Sequence, residues 1–190
     1  MNINLFDLEI ENKLKKLKPT PGYCIFVDIV GSTKIKDEGV STWVRYLGTT
    51  LSLIEAYIQP QTFPLKCIGD ELMFYIPQEK MWRMGETPAN LFDCLCRMVK
   101  HDDPHFKPVK ISVAFCTNAY EISFVNNTPD IYGKDIDLTA RLLSLASSNE
   151  IIMNEKFVKS IDSSDNKNCF PEIKNILCQR DSESELIMAA

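Results

Sequence analysis

The chain has 190 residues, 45% of them hydrophobic and 25% charged, with a formal net charge of −5 and a sequence pI near 5.1. That length suits one domain with a substantial core, and the acidic balance argues against an extended nucleic-acid or membrane-surface footprint, so any anion site must be local. No apolar run approaches the roughly 18 to 20 residues that span a bilayer, which predicts a soluble protein of the cytoplasm.

Asn4 to Lys18 carries Leu5, Leu8, Leu14 and Leu17 among acidic residues and lysines. This is the spacing of an amphipathic helix; a signal peptide would need an apolar central segment. Pro19 and Pro21 break the pattern, and Tyr23 to Asp28 is a β-rich run closed by a carboxylate. Thr42 to Ile58 places Val44, Leu47, Leu51, Ile54 and Ile58 at helical spacing, with Pro60 as the stop. Leu65 to Ile68 and Leu72 to Ile76, parted by Gly69, Asp70 and Glu71, predict a hairpin with an acidic tip. Leu91 to Val99 reads as a helix, and Val109 to Phe115 as a strand paired with Ala119 to Phe124. Ile136 to Ala146 is another amphipathic helix, which starts after Gly133. Ile151 to Met153, a helix near Glu155 to Ile161, and Leu186 to Ala189 complete the order, with Ser160 to Asn168 as a surface loop.

The order strand, helix, strand, strand, helix, strand predicts an α+β fold with a ferredoxin-like core (βαββαβ), an antiparallel-rich sheet covered by helices on one side. Residues 1–190 are expected to form a single domain with a short N-terminal helix. The cysteines (Cys24, Cys67, Cys94, Cys96, Cys116, Cys169, Cys178) lack paired zinc-site spacing and read as reduced core residues.

Three segments carry chemistry. In Phe26-Val27-Asp28-Ile29-Val30-Gly31-Ser32-Thr33 a carboxylate ends a buried strand, and the amides of a Gly-Ser-Thr turn can hold phosphate oxygens; alone, it reads equally well as a capped strand end. Lys66-Cys67-Ile68-Gly69-Asp70-Glu71 puts a second carboxylate at a hairpin tip, where Asp70 converges with Asp28 if the hairpin lies beside the first strand. Two carboxylates in one site repel unless a cation or a proton intervenes. In the third segment, Asp130 to Arg141, a helix beginning near Lys134 places Asp137 and Arg141 four apart on one face, the spacing of a plain salt bridge as much as of a site. His101-Asp102-Asp103-Pro104-His105 reads as a solvated loop or a further metal site.

Taken together and in this order, the three segments resemble the class III adenylyl and guanylyl cyclase family over roughly Gly22 to Phe157. The resemblance implies that Asp28 and Asp70, with the backbone carbonyl of Ile29, bind two divalent cations, Mn²⁺ or Mg²⁺. It implies phosphate contacts at Gly31, Ser32 and Thr33, base reading by Lys66 and Asp130 beside Tyr132, and transition-state stabilisation by Arg141. Asp137 stands where the family usually has Asn, and an ionised carboxylate cannot donate the hydrogen bond that an amide does. Lys174 is a candidate for the family's late triphosphate-binding lysine or else a surface lysine. Trp43, Tyr46 and Tyr132 are candidates to narrow the base pocket, with core packing as the alternative.

In the family one subunit supplies the metal ligands and the other the base-reading and arginine residues, so the resemblance implies a homodimer with shared sites. The expected activity converts a nucleoside triphosphate into a 3′,5′-cyclic monophosphate and pyrophosphate. Lys66 with Asp130 resembles an adenine-reading pair and favours ATP. The whole chain is similar to the small pyrimidine cyclases of bacterial antiviral signalling (Pycsar), which favours UTP or CTP. A catalytically inactive nucleotide-binding dimerisation module is the alternative from another class, and neither nucleic acid nor membrane is expected as a partner.

Overall fold

The computed structural model describes residues 10–12, 14–58, 62, 64–123, 128–162, 174–180 and 183–189, with the backbone alone beyond residue 161. In chain order the elements are β1 (Gly22–Ile29), α1 (Ser32–Asp37), α2 (Val40–Ile58), β2 (Lys66–Ile68), β3 (Glu71–Pro77), α3 (Gln78–Arg83), α4 (Pro88–Val99) and β4 (Val109–Cys116). They continue with β5 (Tyr120–Ile122), β6 (Asp130–Tyr132), α5 (Lys134–Leu143), β7 (Ile151–Asn154), α6 (Glu155–Asp162), β8 (Lys174–Arg180) and β9 (Glu183–Ala189).

A seven-stranded sheet runs in the order β2-β3-β1-β4-β7-β9-β8, antiparallel throughout except between β4 and β7. Its interior strand β1 is apolar at consecutive positions because both of its faces are covered. On one face Ile25, Val27, Phe74 and Val113 pack with Leu47 and Ile54 of α2, Leu95 of α4 and Phe157 of α6. On the other face Cys24, Phe26, Met73 and Tyr75 lie with Ile136 and Leu143 of α5 and Ile131 of β6. The helical cover therefore extends to the second face, beyond the one-sided arrangement expected from the sequence.

Local chemistry explains several boundaries. Thr87 caps α4 by accepting from the Asn90 amide at 3.2 Å, and Pro88 occupies the first turn, where its missing N–H costs nothing. The Thr117 amide donates to Asp135 Oδ2 at 3.0 Å, and Ser112 Oγ donates to the Thr139 carbonyl at 2.7 Å, so α5 is tied at a buried point to β4 and at a part-buried one to the residue just after it. Gly133, just before α5, sits so close to the preceding loop that a Cβ built there would lie 2.4 Å from the Asn118 carbonyl oxygen.

The segment expected to pair with Val109 to Phe115 does not do so. β4 already has β1 on one edge and β7 on the other, so β5 pairs with β6 in a separate two-stranded sheet that sets Tyr120 opposite Tyr132. α1, α3 and β8 are elements the apolar pattern missed. Residues 10–12 and 14 of the expected opening helix are helical, and its earlier part lies outside the described residues. Ser160 falls inside α6, and the expected loop from residue 163 onward lies outside the described residues as well. Cys24, Cys94 and Cys116 are buried as expected, but Cys67 is exposed on the edge strand β2.

Candidate active site

The last turn of β1 sets the geometry. Asp28 is opposite Glu71 on β3 and Lys110 on β4, and directly opposed residues of antiparallel strands share a face. Asp70 precedes Glu71 at the tip of the β2–β3 hairpin, so both aspartates lie at one end of the sheet, as the sequence required. Lys110 Nζ is 2.8 Å from Asp28 Oδ2, and Lys36 Nζ of α1 is 3.2 Å from Asp70 Oδ1. Burial pushes the Asp70 carboxyl up, but its bonds to Ser32 and Lys36 and the lysine charge outweigh this and hold it below the ordinary carboxylate value. Gly31 caps α1 at φ 75°, a left-handed conformation open to glycine at little cost, and this lets the chain turn Ser32 inward toward Asp70 while Thr33 stays exposed.

Glu71 reports the field of this cluster. Its carboxyl is raised by burial first, then by the charges of Asp28 and Asp70, against the lowering effect of Lys110. A position where two carboxylates disfavour a third negative charge is one that attracts a cation. Oxygen donors from Asp28, Asp70 and the Ile29 carbonyl suit a hard divalent ion, which takes its remaining ligands from phosphate and water. No group of three or more His, Cys, Asp or Glu side chains is placed to hold a metal among the described residues, and His101-to-His105 forms no metal cluster. There, the His101 ring pairs with the Tyr57 hydroxyl at 2.6 Å and packs on Phe106.

The raised Glu71 carboxyl gives a test by pH. A carboxyl raised in the folded state costs stability when ionised, a cost absent below its unfolded pKa and present once pH exceeds the folded value. Glu71→Gln is therefore expected to raise the melting temperature at neutral pH in divalent-free buffer, with the gain vanishing as pH falls through the ordinary glutamate range. A gain that does not depend on pH would contradict this electrostatic origin.

A second cluster lies on the same face. Lys66 is opposite Met73, which is opposite Phe26, two residues before Asp28. Lys66 Nζ is 2.7 Å from Asp130 Oδ2 and 5.6 Å from the centre of the Tyr132 ring, and Tyr132 hydrogen-bonds Asp130. Burial raises the Asp130 carboxyl, but its bonds to Lys66, the Ile131 amide and Tyr132 bring it below the ordinary value. Residues from two separate parts of the sequence thus meet.

Asp137 and Arg141 are exposed on α5, and neither forms an ion pair among the described residues, so the plain salt bridge that their spacing allowed is not made. Trp43 packs against the core beneath α2, and Tyr46 faces His105 and Lys107, apart from the Lys66 cluster. The side chain of Lys174 lies outside the described residues. Lys36 and Lys110 are the functional candidates that sequence reasoning missed. Their only sequence signal is charge at a strand start or in a short helix, and the pairing that gives them meaning spans 34 residues for Lys36 and Asp70.

No family model matches the chain, and no curated protein matches it. Among solved structures it is similar to the adenylyl cyclase CyaB from P. aeruginosa, at 16% identity over 92% of this chain and 95% of that one, with a TM-score of 0.71. It is also similar to an adenylate cyclase from Trypanosoma brucei, at 16% identity over 90% and 88% of the two chains and a TM-score of 0.70. The guanylate cyclase domain of RhGC from Catenaria anguillulae in complex with GTP matches at 13% identity over 90% and 97%, with a TM-score of 0.63. At these identities the likeness establishes the fold, that of cyclase catalytic domains.

Proposed function

We propose that the chain is a nucleotidyl cyclase that closes a nucleoside triphosphate into a 3′,5′-cyclic monophosphate with release of pyrophosphate, and that UTP or CTP is its preferred substrate. The observation that carries the reading is the convergence of Asp28 and Asp70 at one sheet end, on the face that presents the Lys66–Asp130–Tyr132 cluster. Asp28, Asp70 and the Ile29 carbonyl would hold two divalent ions, Mn²⁺ or Mg²⁺. When bound, such ions lower the pKa of the attacking ribose hydroxyl and neutralise the polyphosphate.

The chain's own residues supply the rest. Lys36 and Lys110, each already beside one aspartate, are placed to turn to phosphate oxygens, together with the amides of Gly31, Ser32 and Thr33. Lys66 and Asp130 offer a donor and an acceptor to a base edge, and the Tyr132 ring over Lys66 takes up space that supports a pyrimidine. Arg141 meets charge that develops at the reacting phosphorus. Asp137 accepts hydrogen bonds without donating them while ionised, so it orients a hydroxyl and not an oxyanion. The exposed Asp137 and Arg141, which form no ion pair among the described residues, support a homodimer in which each copy completes the other's site. A place in bacterial antiviral signalling rests on the sequence resemblance.

The 2.7 Å Lys66–Asp130 pair favours a second reading, in which ATP is the substrate, since a donor beside a carboxylate can bracket N1 and the 6-amino group. Incubating the protein with each of the four NTPs and Mn²⁺ and identifying the products separates them. Cyclic UMP or cyclic CMP is expected. Turnover of ATP alone reverses the base assignment, and no product from any of the four leaves the inactive dimerisation module.

A further inference from the structure

Away from these clusters, a cavity of about 210 Å³ opens between the first turns of α2 and the loop that leads into β4, lined by Ser41, Thr42, Arg45, Tyr46 and His105. Ser41 with Arg45 and Thr42 with Tyr46 are each one helical turn apart, so α2 presents two aliphatic hydroxyls, a guanidinium and a phenol on one strip. Beside the lining, Lys107 sets its Nζ 4.0 Å from the centre of the Tyr46 ring, and its amide donates to Thr50 Oγ1 at 3.1 Å. The His105 ring centroid lies 6.3 Å from that of Tyr46.

The charge balance of this recess is one-sided. Neither Arg45 nor Lys107 forms an ion pair among the described residues, and the first turn of α2 holds no acidic residue. Asp103 accepts from the His105 backbone amide at 2.7 Å, and no acidic side chain is among the residues that line the cavity. Arginine and histidine thus meet at a hollow lined otherwise by hydroxyls, with the Lys107 ammonium over the Tyr46 ring beside it, a donor set that suits phosphate oxygens. The volume lies below the roughly 300 to 1,000 Å³ typical of sites for drug-sized ligands, which selects a small occupant.

We infer that this recess binds a small soluble phosphate-bearing anion, inorganic phosphate or a phosphate monoester, at a site separate from the proposed catalytic centre. Trp43 and Leu47 of the same helix pack on the sheet face opposite to that of Phe26 and Met73, so the two sites lie on different sides of the sheet. Pro108 and Val109 are all that separates Lys107, over the Tyr46 ring, from Lys110 at Asp28. The chain's net charge of −5 disfavours docking on an anionic membrane, which selects a soluble source for the phosphate.

The test follows backbone amide shifts of the full chain during titration with inorganic phosphate, without nucleotide or divalent ions, and then with glycerol phosphate and with vesicles containing phosphatidic acid. Saturable shifts at Ser41, Thr42 and His105 are expected, weakened about tenfold or more by Arg45→Ala, as loss of a charged hydrogen-bond donor implies. Arg45 is exposed and forms no ion pair among the described residues, so the melting temperature should not change, and Arg45→Gln should reproduce the loss. Absence of saturable shifts at those residues, shifts confined to residues 28–36 and 110, unaltered affinity in both Arg45 variants, or binding to vesicles alone would each overturn the assignment.

Discussion

Mixing two inactive variants, Asp28→Ala and Arg141→Ala, is expected to restore about a quarter of the wild-type rate. Alone, each removes its residue from both sites of a homodimer. Loss of the Arg141 charge should lower kcat by about 10² to 10³, the scale of a single group that meets transition-state charge. Random assortment puts half of the dimers in the mixed form, where one site carries both defects and the other carries neither. Neither substitution threatens the fold, since Arg141 is exposed and forms no ion pair among the described residues, and the lysine that Asp28 leaves behind, Lys110, still reaches water with 26% of its side chain exposed. Pyrophosphate release from co-refolded variants, with mixed dimers verified by differential tagging, is the measurement. Silence from a verified mixed dimer would mean that each chain completes its own site, and the proposed dimer would lose its support.

The second large effect concerns stability. Phe74→Ala should cost about 3 to 5 kcal/mol, a sizeable part of the roughly 5 to 15 kcal/mol that holds a domain of this kind together. Phe74 is fully buried on β3, opposite Ile25 of β1, which is in turn opposite Val113 of β4, so its ring fills a row that crosses three adjacent strands. Truncation leaves a void that the paired backbones of β1 and β3 cannot close. Denaturant unfolding would register the loss as a lower midpoint. A drop below about 1 kcal/mol would show that α2 and α4 relax into the space.

Much of the fold was legible because its signals are local. Continuous apolar runs mark β1, β3 and β4, helical periods mark α2, α4 and α5, and the turn at Gly69 and Asp70 marks a hairpin that the register confirms. What escaped depended on neighbours distant in sequence. Ala119 to Phe124 has strand composition, but composition cannot reveal that β4 has both edges occupied. The six-residue helices α1 and α3 are too short for a period to emerge. The same division holds at the candidate site. Asp28, Asp70, Lys66 and Asp130 stand in recognisable runs, whereas Lys110 gains significance only from lying across from Asp28 on a strand that begins 81 positions later.

The seating of α5 on the backbone at Asn118 has a mechanical corollary. With no side chain interposed at Gly133, the helix rests peptide on peptide, and its heading is set at the base by hard contact, with no cushion of adjustable rotamers. Arg141 rides eight residues along that shaft, about 12 Å from the pivot. A tilt of about 5° at the base therefore swings the guanidinium's anchor by about 1 Å, a misplacement large enough to cost about a hundredfold in rate where chemistry depends on aim. The smallest residue in the chain is thereby the one that sights the largest cation of the proposed reaction.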